Sequence, residues 1–74
     1  HPLKLATVTE IGEKAFEGCT AMTKVIFNAN ANVKNYAFRN CTNLKTLENK
    51  PADENLGKDV FKDTKYQNDL DKTV

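Results

Sequence analysis

The chain has 74 residues, 39% hydrophobic and 28% charged, with a formal net charge of +1. That length accommodates one small domain whose core is only marginally sufficient. The 11 Lys and Arg residues are scattered without a cluster, which speaks against nucleic acid or an anionic membrane as partner, and no apolar run is long enough to span a membrane. The chain opens His1-Pro2-Leu3 without a methionine. It reads as a processed product or an excised fragment, so a missing signal sequence carries no information.

Residues 1–8 read as the tail of an earlier repeat. In Leu3-Lys4-Leu5 an apolar residue flanks each side of one outward residue, the mark of a half-buried strand. The expectation is an array that continues N-terminally, or another element covering that end. From Ile11 to Met22 the apolar positions Ile11, Ala15, Phe16, Cys19 and Met22 advance by threes and fours. That spacing predicts about two turns of α or 3-10 helix. Glu13 falls in the first turn, where a carboxylate suits the helix dipole. The period then switches to two at Val25-Ile26-Phe27, a predicted strand, and the Asn-rich stretch 28–32 reads as a turn.

The plan then repeats. Val33, Ala37, Phe38, Cys41 and Leu44 carry the helical spacing again, and Leu47 sits in the next strand. Asn49 stands where Phe27 and Leu5 stood, and residues 49–55, with Pro51, read as a polar loop. In the third copy Leu56, Val60 and Phe61 are kept, the strand is lost, and Tyr66 with Leu70 predicts a helical extension across the open end. Ile11, Val33 and Leu56 share a column, as do Ala15, Ala37 and Val60, then Phe16, Phe38 and Phe61, then Cys19, Cys41 and Thr64; the steps are 22 and 23 residues. A period in this range means stacked supersecondary units, none able to bury its apolar side alone. The units fall near residues 9–30, 31–53 and 54–74 of a single domain, the last ending in a cap.

Two cysteines do not make a disulfide framework. As equivalents in adjacent units, Cys19 and Cys41 stand about 5 Å apart at the backbone, within reach of a bridge. Two buried free thiols packing as small apolar groups is the favoured reading, because Thr64 in the same column keeps the size without the redox chemistry.

The pattern I-G-x-x-A-F-x-x-C-x-x-L-x-x-V resembles the BspA-like leucine-rich repeats. Ile11, Gly12, Ala15, Phe16, Cys19, Met22 and Val25 fit it, then Val33, Ala37, Phe38, Cys41, Leu44 and Leu47, then Leu56, Gly57, Val60 and Phe61. Val8 to Gly12 is similar to the family's lead-in. The resemblance implies a parallel solenoid in a bacterial cell-surface or secreted protein that adheres to or recognises other macromolecules. It carries no shared catalytic residues.

The residues themselves agree on the last point. The single His is terminal, no phosphate-binding Gly-rich loop occurs, and the acidic groups sit among lysines, so no metal, cofactor or catalytic site is expected. What remains is a surface. The outward strand positions in register are Lys4, Ile26 and Glu48, with Lys24 and Thr46 beside them, a candidate partner-binding face of the kind extended repeat arrays use. The expectation is thus an α/β repeat protein, a right-handed leucine-rich-repeat solenoid of about three units with a short parallel sheet and short α or 3-10 helices. Its expected role is non-enzymatic, extracellular protein recognition or adhesion, with host matrix or surface proteins as candidate partners. A structural spacer or end-cap with no binding role is the alternative, and an accessory module of a secreted enzyme a third. The open ends allow weak self-association.

Overall fold

The computed structural model describes residues 2–72. In chain order the elements are β1 (Pro2–Leu5), β2 (Glu10–Ile11), β3 (Lys24–Phe27), β4 (Asn32–Val33), β5 (Thr46–Glu48), a 3-10 turn (Asp53–Asn55) and α1 (Lys65–Asp71). β1, β3 and β5 form one parallel sheet in that order. Its register sets Leu3 beside Val25 and Val25 beside Leu47, so each strand meets the equivalent positions of the next. A second ladder pairs β2 with β4, Ile11 opposite Val33, and continues through a bridge from Val33 to Leu56.

The strands follow from alternation. Val25 and Phe27 are buried in the core while Lys24 and Ile26 face outward and are half-buried. β5 ends at Glu48 because Asn49 turns into the left-handed region at φ 56°, a conformation Asn tolerates better than most residues. Lys50 Nζ then ion-pairs with Asp53 at 3.1 Å, and Pro51 is fully buried beneath the loop. At the other corner, Asn28 Oδ1 accepts from the Asn30 backbone N–H at 3.0 Å, which fixes the turn preceding β4.

The third side of each unit is not the predicted helix. Residues 13–18 and 35–40 run as successive turns. Odd-numbered residues of the first unit close four-residue turns: Ala15 donates to Gly12, Glu17 to Lys14 and Cys19 to Phe16. The even-numbered ones donate to the next unit: Lys14 to the Asn35 carbonyl, Phe16 to Ala37 and Gly18 to Arg39, at 2.8–3.0 Å. One unit on, Tyr36, Phe38 and Asn40 donate in the same way to Lys58, Val60 and Lys62. A helix would turn every N–H back along its own axis; here half of them join neighbouring units. Left-handed residues make this alternation: Lys14, Tyr36 and Asp59 in one column, Gly18, Asn40 and Asp63 in the other. Gly, Asn and Asp suit that conformation. The helix-like spacing of apolar residues was therefore a spacing of turns.

The rings stack along the axis of the repeat. Phe16 lies on Phe38 at 5.2 Å between centroids and Phe38 on Phe61 at 5.8 Å, with Phe27 edge-on to both Phe38 and Phe61. Offset and edge-on contacts of this kind add about 0.5–1.5 kcal/mol each beyond the buried area. Phe38, Ala37, Cys41 and Leu44 are wholly excluded from solvent. Leu5, Phe27, Ala31 and Pro51 join the buried set although the helical columns do not include them.

Five core assignments change toward the ends of the ladders. Ala15 and Cys19 are exposed and Phe16 is half-buried, because among the described residues no unit lies over the first one. The expectation of two buried thiols thus holds for Cys41 alone; Cys19 is an exposed thiol, and the two cysteines are free. Leu47 and Leu56 are half-buried on the last rungs of their ladders, whereas Met22, Val60 and Phe61 are buried. The chain leaves the ladder at Thr64. Its hydroxyl donates to the Phe61 carbonyl at 2.7 Å and accepts from the Gln67 N–H at 3.0 Å, capping α1. Tyr66 donates its backbone N–H to the Leu44 carbonyl at 2.7 Å and sets its ring edge-on to Phe61. Leu70 is 46% exposed, so Tyr66 rather than Leu70 anchors the cap.

Candidate functional site

The outward face of the sheet is built by register alone. Lys4, Ile26 and Glu48 occupy one row and Pro2, Lys24 and Thr46 the next. Neighbouring strands set such side chains about 4.8 Å apart, so the face is a short ribbon of cation, aliphatic and anion. Lys24 Nζ meets Glu48 Oε2 at 2.5 Å across the rows. The pair is partly solvated, so it organises the two side chains more than it stabilises the fold. Ile26 is half-buried between them, while Lys4 and Thr46 are exposed. The ribbon can offer hydrogen bonds, one apolar contact and paired charge to a partner's surface. It holds no nucleophile with a base beside it. Among the described residues, no group of three His, Cys, Asp or Glu converges to hold a metal.

The turn side carries a second polar cluster, which the apolar spacing does not reveal. Arg39 Nε donates to Glu17 Oε2 at 2.6 Å, and its guanidinium lies 4.4 Å from the Tyr36 ring centroid. Lys14 Nζ approaches the same ring at 5.9 Å. Glu17 and Arg39 share a column, 22 residues apart, and that opposite-charge pairing was the available signal. The cluster ties the first unit to the second where both residues are half-buried.

Cys41 has a structural task. Its Sγ donates to the Phe16 carbonyl at 3.0 Å, joining the two units at the bend. Burial pushes its thiol up, outweighing the Cys19 backbone N–H that pulls it down. A buried thiol so disposed is a poor nucleophile. Two depressions open at the ends of the ladders. One, of about 280 Å³, is lined by Leu3, Phe16, Cys19 and Met22 among others; the other, of about 440 Å³, by Leu56, Val60 and Phe61 with Asp53, Lys62 and Gln67.

Parallel strands in repeat register, joined by turn ladders and a recurring Ala-Phe-x-x-Cys, define a leucine-rich-repeat protein. The family model for the BspA type leucine rich repeat region (6 copies) matches residues 3–70, and the chain belongs to that family. Comparison with curated proteins and with solved structures gave no match. No helix among the described residues is long and apolar enough to cross a membrane.

Proposed function

We propose that this chain is a non-catalytic protein-recognition module of a bacterial cell-surface or secreted protein. It is a single domain of about three units wound as a right-handed solenoid, closed by α1, and its partners are host matrix or surface proteins. The family supports interaction as the role, since repeat arrays of this class commonly bind proteins. The observation that carries the reading is the sheet register, which aligns Lys4, Ile26 and Glu48 in one row beside Lys24 and Thr46. A partner's strand or loop laid along this ribbon would cover Ile26 and meet charges at fixed spacing.

The test replaces Lys24, Ile26 and Glu48 together by Ala and measures attachment to immobilised matrix proteins, with circular dichroism as a control of folding. Attachment by the parent and its loss in the folded triple variant is the expected outcome. Undiminished attachment by the variant sinks the strand-face assignment. No attachment by the parent favours a spacer role.

A further inference from the structure

We propose that the depression beside α1 is a docking groove for one peptide segment of a partner protein, coiled in the turns that the repeat units themselves use, separate from the strand face. The argument begins with backbone donors. In the first unit Lys14, Phe16 and Gly18 give their N–H groups to the second unit, and in the second Tyr36, Phe38 and Asn40 give theirs to the third. The third-unit equivalents are Asp59, Phe61 and Asp63, with Asp59 and Asp63 in the same left-handed conformation as their counterparts. Among the described residues, no acceptor meets the N–H of any of the three. Within the described residues the chain does not supply one after Thr64, where it departs into α1.

This edge repeats an interface the fold already uses twice. Its geometry calls for carbonyls at alternate positions of a segment coiled in successive turns, as residues 35–40 are. The surroundings suit the same ligand: Asp59 and Phe61 line the depression of about 440 Å³ together with apolar Leu56 and Val60, and Gln67 of α1 bounds it. A volume of that order holds a few side chains. Main-chain bonds would supply affinity and the apolar floor would select the side chain above it, as in strand addition to an open edge. A second copy docked in continued register would need to place its β1 beyond β5, where Tyr66 already occupies the Leu44 carbonyl. The occupant is therefore a lone segment and not another stack.

The probe is a peptide of residues 34–40, acetylated and amidated, whose carbonyls at Asn35, Ala37 and Arg39 already accept from such a donor row. It is titrated into the isotope-labelled chain while amide hydrogen exchange and chemical shifts are followed by NMR. In the free protein, Asp59, Phe61 and Asp63 amides should exchange fast, whereas those of Tyr36, Phe38 and Asn40 should be protected. Peptide should bind with Kd of about 0.1–1 mM and slow exchange at the three open amides by about 1 + [L]/Kd. Protection of the three amides without peptide, no response at millimolar peptide, or shifts confined to Lys4, Lys24, Ile26, Thr46 and Glu48 would each overturn the proposal. So would concentration-dependent sedimentation with the same three amides protected, which would make a second copy the occupant. Loss of matrix attachment in the strand-face variant tests the other surface and leaves this result independent.

Discussion

Ala15-Phe16-x-x-Cys19 and Ala37-Phe38-x-x-Cys41 have the same letters and the same backbone, yet Ala37, Phe38 and Cys41 are fully buried while Ala15 and Cys19 are exposed and Phe16 is half-buried. Among the described residues the second unit has a neighbour on each side and the first has one. In a stack, stability resides in nearest-neighbour contacts rather than in the unit, so identical residues carry different weights.

The sharpest way to break this comparison is Phe38→Ala against Phe16→Ala. Removing Phe38 deletes the middle ring, which stacks on two others and meets Phe27 edge-on. It should cost about 3–5 kcal/mol and leave little folded protein in a domain this small. Phe16→Ala should cost roughly 1–1.5 kcal/mol, in proportion to its partial burial. Urea denaturation followed by circular dichroism measures both, and equal losses would end the nearest-neighbour account.

The same contrast appears at two glycines of one column. A Cβ on Gly57 would stand 2.5 Å from Asn35 Oδ1 and 2.6 Å from the Asn35 nitrogen, whereas one on Gly12 would meet nothing within 4 Å. Gly57→Ala must push the third unit off the second, an overpacking cost of about 1–3 kcal/mol. Gly12→Ala should stay within about 0.5 kcal/mol of the parent. Thermal melts of the pair decide it.

Thr64→Val keeps the shape and removes the cap, and should lower stability by about 1 kcal/mol. Because the hydroxyl serves α1, the α1 amides should lose protection from exchange before those of β3. Uniform loss across the chain would mean that the cap and the stack are one cooperative unit.

The thiols sharpen the comparison at the smallest scale. Cys19 should react promptly with a disulfide reagent, and Cys41 only when the protein opens. Burial raises the Cys41 thiol, so its contribution to stability is intact below the unfolded thiol value of about 8.5. It should decline as pH rises through the higher folded value. The denaturation midpoint of the parent should therefore fall more steeply than that of Cys41→Ser as pH rises from about 8.5 toward the folded value. Parallel slopes would show that Cys41 does not titrate within the fold.

Much of this is legible in the residues alone. The recurrence of Phe, Cys and branched apolar residues at a fixed step reveals stacked units, since only in-register stacking gives like residues like surroundings. The alternation Val25-Ile26-Phe27 reveals a strand and its two faces, and from it the row Lys4, Ile26 and Glu48. The turn side differs from the predicted helix because apolar steps of three and four suit consecutive four-residue turns as well as a helix. The distinguishing mark lay in the Gly18, Asn40 and Asp63 column, three residue types that accept left-handed backbone. Lys14 and Tyr36, in the companion column, carry no such mark.

By itself the sequence determined the period, the columns and the family, because these rest on residue identity at fixed spacing. Only the tertiary structure decided which members of a column are buried and which backbone donors find acceptors. Burial and hydrogen-bond satisfaction belong to pairs of units, and a residue's own letters do not record whether a neighbour lies above it.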